Sequence, residues 1–258
     1  MVNEGGVDYI SSALAREFLL SEGSVSHGPC KLFKNEHGEV EELICLRCKD
    51  WISIAQPWRW RDRGSWPSNE LINDITRYGV LFVPVGCKTS RNEDIEWRVS
   101  FSIAEKQLIH SFTHTQFLCY AMLKTVLSDK IKPKHGDLLC SYFIKTILFW
   151  LSEEQDLEFI TERNVLPCYI ACIKRLIYCV EYRICLHYFI PEINFFEDRF
   201  TDEEHNGLLS TLYDVYCRGW EALLETSTFV KFTTGFDIDS SLTSSVIPPL
   251  YFIASIHP

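Results

Sequence analysis

At residue 101 the hydrophobic pattern of the chain changes period. Residues 96–101 alternate polar and apolar side chains, the period-two pattern of a half-buried strand. From Ser102 onward apolar residues recur at helical spacing as far as Leu127, and helical patterns follow over about 138–151, 167–186 and 201–224. A chain of this kind reads as α+β, with a strand-bearing region over 1–101, an all-helical lobe over 102–225, and a Ser- and Thr-rich tail over 226–258 that is expected to pack loosely. Ser102 followed by Glu105 has the form of a capping box, in which each side chain satisfies a backbone N–H at the helix start.

Before residue 101 the elements are shorter. Ile10, Leu14, Phe18 and Leu19 have helical spacing, so a helix is expected over 8–20. Gly23 and Gly28 are turn-like, and Pro29 opens a region of strands. Residues 32–33 and 43–46 read as two strands around the turn 35–38. Trp51, Trp58, Trp60 and Trp66 follow, then a helix started by Pro67-Ser68, running through Ile75 and ended by Gly79. An apolar strand is expected at 80–85. Residues 130–136, broken by Pro133 and Gly136, read as an exposed loop carrying Lys130, Lys132 and Lys134.

Charge and cysteine usage narrow the functional class. The 258 residues carry 25 basic and 35 acidic side chains, a net charge of −10. Phosphate neutralisation supplies most non-specific nucleic-acid affinity, so this balance disfavours DNA or RNA as partner. The eleven cysteines are an odd number, scattered rather than dense, unlike a secreted disulfide framework. The first twenty residues have no basic segment followed by a long apolar core, so they do not read as a signal peptide. The apolar stretch 166–191 is interrupted by Lys174, Arg175, Glu181 and Arg183, which argues against a membrane span. The expectation is a reducing intracellular setting, cytoplasmic or nuclear, with mostly buried free thiols.

Glu96-Trp97-Arg98-Val99-Ser100-Phe101-Ser102, with Ala104-Glu105-Lys106, closely resembles a strand-to-helix signature of the Mab-twenty-one family, in the superfamily of cyclic GMP-AMP synthase. Val83-Pro84-Val85-Gly86 upstream agrees in order and spacing. So do Ser141-Tyr142 with Lys145-Thr146, and Tyr188-Phe189-Ile190-Pro191-Glu192, downstream. Gly28-Pro29-Cys30 and Trp66-Pro67-Ser68 are similar as well, and the resemblance covers about 8–225. It implies part of a mixed nucleotidyltransferase sheet packed on a helix-hairpin-helix or helix-two-turn-helix-like lobe, with a nucleotide held in the cleft between them.

Nucleotidyl transfer relies on positioning and on metal ions that neutralise developing phosphate charge. The superfamily supplies an acidic pair after a Gly-Ser turn and a third acid on a neighbouring strand. Here neither Gly23-Ser24 nor Gly64-Ser65 is followed by such a pair, and Asp237 with Asp239 has no Gly-Ser before it. The resemblance therefore places the strands of the acidic pair before Met1. The third acid falls at Glu41, where the family has aspartate. Glu41 reads as a vestigial metal ligand or as an edge-strand charge. No catalytic residue and no cofactor is assigned, and magnesium or manganese would be needed only by an active full-length form. By motif match, the ligand-binding set is Arg98, Ser100, Ser102, Lys124, Ser141 and Tyr142, and the partner is a nucleotide resembling ATP or GTP. Arg98 can take phosphate oxygens in bidentate fashion, and Tyr142 can stack on a base. The alternative is that Arg98 pairs with Glu96 or Glu105 and that Tyr142 packs between lobes.

Three functions follow. The first is a catalytically incomplete protein that binds a nucleotide or serves as a regulatory scaffold. The second is a fragment of an active metal-dependent nucleotidyltransferase making cyclic dinucleotides in innate immune signalling. The third, a nucleic-acid sensor, is disfavoured by charge and because Ser102 runs directly into a helix, where cyclic GMP-AMP synthase carries a zinc-holding insertion. Cys45 and Cys48 form a CxxC without a second pair, and His110 and His114 have metal-ligand spacing without a third ligand. Trp58-Arg59-Trp60-Arg61-Asp62-Arg63 mixes arginine and aromatics as nucleic-acid surfaces do, but buried tryptophans beside solvated arginines explain it better.

Overall fold

In the computed structural model the residues described are 1–19, 25–27, 30–35, 38–43, 45–155 and 160–234, with backbone alone for 2, 4, 19, those within 25–42, and 232–234. The architecture is α+β, small antiparallel sheets against a helical lobe. A hairpin of β1 (Val2–Glu4) and β2 (Val7–Tyr9) precedes α1 (Ser12–Leu19), so the expected helix at 8–20 begins four residues late. Ser11 Oγ and Ser12 Oγ donate to the carbonyls of Asp94 and Glu93, which ties the start of α1 to the loop before the signature strand. The strands β3 (Val25–His27), β4 (Cys30–Asn35) and β5 (Gly38–Glu42) form one sheet. The third sheet has the order β6 (Leu46–Cys48), β7 (Val80–Val83), β8 (Arg98–Ser100). Of the second strand expected at 43–46 only Leu46 lies in a strand, β6, which pairs with β7, while the strand that pairs with β4 across the turn is β5, ending at Glu42.

Between β6 and β7 lie α2 (Gln56–Trp60) and α3 (Asn69–Tyr78). Ser68 Oγ caps α3 by accepting Leu71 N–H at 3.2 Å, and Gly79 ends it, as the sequence indicates. The loop from β7 to β8 is drawn together by Glu96, which accepts Cys87 N–H at 2.8 Å and the Ser90 hydroxyl. Those bonds hold the Glu96 carboxyl below its ordinary pKa, Ser90 contributing most.

The helical lobe comprises α4 (Ser102–His110), α5 (His114–Val126), α6 (Lys132–His135), α7 (Ser141–Glu154), α8 (Val165–Glu181), α9 (Asp202–Arg218), α10 (Trp220–Leu224) and α11 (Ser227–Thr234). The helical pattern up to Leu127 is two helices. The capping box lies at Thr113 and Gln116, and another opens α9 at Thr201 and Glu204. The one expected at Ser102 is absent, because Phe101 is the N-cap and Glu105 turns inward to Lys145. Residues 130–136 are not a loop either. A π turn, Leu127–Ile131, leads straight into α6, where Pro133 lies in the first turn and costs no hydrogen bond. Lys130 pairs with Glu225 at 3.3 Å and Lys132 with Asp137 at 3.2 Å. Within the expected tail, 227–234 form α11, while 235–258, including Asp237 and Asp239, lie outside the described residues.

Aromatic side chains join the strands to the helices. Trp58 is fully buried, 5.0 Å between ring centroids from Phe189, and Phe101 stacks on Phe189 at 4.5 Å. Trp66 lies 6.0 Å from Phe149, and Phe149 5.1 Å from Tyr188. Tyr188-Phe189-Ile190 is therefore the plug of the core, each ring worth about 1.5–3 kcal/mol of burial. Among the described residues, no helix is long and apolar enough to cross a membrane.

Candidate ligand site at the starts of two helices

The six expected ligand residues fall at three places. Arg98, Ser100 and Ser102 run from β8 into α4, Lys124 is in the last turn of α5, and Ser141 and Tyr142 open α7. The Ser102 amide donates to Ser100 Oγ at 3.3 Å, so the hydroxyl of Ser100 supports the start of α4. The Arg98 side chain is exposed and, among the described residues, makes no hydrogen bond or ion pair, while its backbone pairs with Val83. It pairs with neither Glu96 nor Glu105, because Ser90 and Cys87 take the first and Lys145 the second. Ser141 is exposed at the first position of α7.

Tyr142 lies beside the carboxylate of Glu105, while Lys124 lies over Tyr120 on its own helix. Lys145 Nζ, three residues beyond Tyr142 on the same face of α7, donates to Glu105. Lys145 also lies 5.4 Å from the Tyr142 ring centroid, and Lys124 lies 5.6 Å from the ring of Tyr120. Burial raises the Tyr142 phenol pKa, and the nearby charge of Glu105 raises it further. Tyr120 is raised by burial first and by Glu105 second. The Glu105 carboxylate, only 8% exposed, thus meets Lys145 directly and acts by its charge on the phenols of Tyr142 and Tyr120. The Tyr142 ring also meets Phe195 at 5.2 Å and His187 at 6.4 Å, and His187 meets Phe101 at 5.4 Å, which links α7 to the residue between β8 and α4. Tyr142 does pack between the strand end and the helices, as the alternative reading holds, yet with its ring also offered to a cation.

Glu105 and Lys145 were not among the expected ligand residues. Glu105 imitates a cap in sequence, and Lys145 is visible only through its spacing from Ser141 and Tyr142. Glu41 lies on β5 opposite Leu32, and its side chain is outside the described residues. Magnesium needs several hard oxygen ligands, and among the described residues no group of three or more His, Cys, Asp or Glu could hold a metal ion. The described side chains do not fit such a centre, and no step is drawn through one. His110 ends α4 and His114 begins α5, so their spacing does not share a helix. Cys119, Cys168 and Cys172 line a cavity of about 30 Å³ between α5, α7 and α8, and hydrogen bonding among these cysteines, with burial, raises the first two thiols. Of the arginine-rich tract, Arg61 and Arg63 turn to Glu153.

Comparison with known proteins gives a family. Residues 30–111 match the Mab-21 protein nucleotidyltransferase domain, and residues 116–213 match the Mab-21 protein HhH/H2TH-like domain. A protein mab-21-like from Drosophila melanogaster is 26% identical over 179 residues, 66% of this chain and 48% of that protein. A cyclic GMP-AMP synthase from Sus scrofa is 24% identical over 191 residues, 66% of this chain and 38% of that protein. The chain therefore spans less than half the length of either relative. With both domain types matched in order along it, the chain belongs to the Mab-21 family, in the cyclic GMP-AMP synthase-like nucleotidyltransferase superfamily.

Proposed function

We propose that this chain is a catalytically incomplete, nucleotide-binding member of its family, acting as a regulatory or scaffold module. The strand-bearing region is taken as 1–101, the helical lobe as 102–225, and 226–258 as an appended tail. The observation that carries the reading is Lys145 at the start of α7, which lies over the Tyr142 ring and donates to Glu105, with a second lysine–tyrosine pair, Lys124 and Tyr120, on α5. Polyphosphate needs cations with movable donors, and a base needs a ring to stack on. Arg98, exposed at the start of β8, adds a guanidinium suited to bidentate phosphate contact. Catalytic incompleteness is supported by the lack of a Gly-Ser turn followed by an acidic pair anywhere in the 258 residues.

Titration calorimetry with ATP and GTP tests the binding. Arg98→Ala or Lys124→Ala should weaken it by about tenfold or more, since a charge-assisted hydrogen bond is worth roughly 1.5–3 kcal/mol. Tyr142→Ala should remove a stacking contribution of roughly 1–3 kcal/mol. Heat-free titrations at millimolar ligand would leave the lobe as a scaffold only. Incubation with ATP, GTP and magnesium or manganese should yield no dinucleotide. Metal-dependent product that disappears in Glu41→Ala would instead favour the enzyme reading.

A further inference from the structure

We propose that Glu105 is a built-in competitor for the ligand's phosphate: its carboxylate ties down Lys145, and an anionic ligand at this site must take Lys145 from it. The inference rests on the nucleotide reading above and adds a mechanism that sets the affinity of the site.

The three cations of the site are not equivalent. Among the described residues, Arg98 and Lys124 have no carboxylate partner, whereas Lys145 donates directly to Glu105. The Glu105 side chain is 10% exposed and that of Lys145 is 20% exposed, so the pair lies at the boundary between interior and solvent. Phe143, Ile144, Thr146 and Ile147 on either side of Lys145 are buried, which fixes the backbone of α7. Lys145 can therefore reach another partner only by turning its own flexible stem. An ion pair at such a boundary recovers little beyond the cost of desolvating its charges, so it can be displaced. A phosphate group carries more negative charge than one carboxylate and presents three acceptor oxygens, which favours the exchange.

The structure also provides for Glu105 after the exchange. A buried carboxylate left alone would oppose the release of Lys145. The Tyr142 phenol, one turn before Lys145, lies close enough for the Glu105 charge to act on it, and burial with that charge keeps it protonated and able to donate. Glu105 thus has a nearby donor to take up when Lys145 turns away. The same residues that fasten Lys145 in this structure become a cradle from which it can be drawn.

The test is a double-mutant cycle read by titration calorimetry with ATP and with inorganic triphosphate. Glu105→Gln keeps the shape and an acceptor for Tyr142 but releases Lys145. It should bind both probes about tenfold tighter than the natural protein. Lys145→Gln should bind more weakly, and the gain from Glu105→Gln should vanish in the double variant. A gain of undiminished size in the Lys145→Gln background would show that Glu105 acts only by repelling anions, and would overturn the proposal. Equal or weaker binding by a folded Glu105→Gln would do the same. Should that variant fail to fold, carbon-13 NMR of the Glu105 carboxyl in the natural protein decides: the resonance should move as ATP saturates the site, and a fixed resonance overturns the proposal. Absence of binding by every form, at millimolar ATP, would instead sink the nucleotide reading beneath it.

Discussion

Arg63 Nε donates to Glu153 Oε2 at 3.1 Å, joining the tryptophan-rich tract to the last turn of α7 across 90 residues of sequence. Both side chains are 6% exposed. Arg61 Nη2 reaches the same carboxylate at 2.9 Å, and the Tyr188 hydroxyl donates to it at 2.6 Å. One buried carboxylate therefore gathers donors from the tract and from the core plug. The arrangement explains why a segment rich in arginine and tryptophan is packing material here. Trp58 is buried beneath it, and Arg59 lies over the exposed ring of Trp60.

Glu153→Ala should be strongly destabilising. It leaves Arg61 and Arg63 desolvated with no counter-charge, and breaking a buried pair by removing one partner costs about 3–5 kcal/mol. Urea unfolding should show the midpoint falling at unchanged slope. A shift equivalent to less than about 1 kcal/mol would mean that solvent reaches the two guanidinium groups.

His187 should make stability fall in mild acid. Its Nδ1 accepts the amides of Phe189 at 3.0 Å and Ile190 at 3.1 Å, which requires a neutral ring, and burial holds its pKa at about 4. The unfolded histidine takes up its proton near pH 6.5. Between those values the unfolded chain binds a proton that the folded one refuses, so the stabilising contribution is complete above pH 6.5. It declines as pH falls, by up to about 3 kcal/mol at pH 4. The His187 ring protons should show no titration above pH 5 by NMR, and a midpoint near 6.5 would refute the assignment.

Asp129 should govern the attachment of α11. Its carboxylate accepts the Thr228 amide at 2.8 Å and the Ser227 hydroxyl at 2.9 Å, so a residue from the π turn caps a helix 98 positions away. Partial burial raises its pKa, but these bonds and one from Ser128 outweigh that and hold it at about 2. The cap should thus persist as pH falls until it is lost near 2. Asp129→Ala should cost about 1 kcal/mol, as for other helix caps, and should speed amide exchange in 227–234 specifically. Unchanged exchange there would show that α11 is held by its apolar contacts alone.

Gly79→Ala should disrupt the third sheet. Gly79 has φ +84, and a Cβ there would stand 2.0 Å from the carbonyl oxygen of Cys48, the strand neighbour of Val80. Backbone strain and a clash with backbone act together, so a loss on the order of 3 kcal/mol or more is expected in thermal unfolding. A near-neutral variant would mean that β6 moves away from β7 at little cost.

What the sequence determines by itself is local and periodic. The change of pattern at residue 101, Ser68 and Gly79 at the ends of α3, and the order of family motifs from Val83 to Pro191 are legible because short-range geometry dictates them. What the tertiary structure decides is which partner a polar side chain finds. Ser102 and Glu105 satisfy the spacing of a capping box, yet Glu105 is more favourably bound to Lys145, 40 residues away, than to its own helix start. The same competition ended the expected loop at 130–136, where a π turn and the pairing of Lys130 with Glu225 override Pro133 and Gly136. Arg61 and Arg63 look solvated in sequence and are drawn inward by Glu153. A buried charge is tolerated only where another charge or donor meets it, and that meeting is fixed by packing over long separations, not by the spacing of residues along the chain.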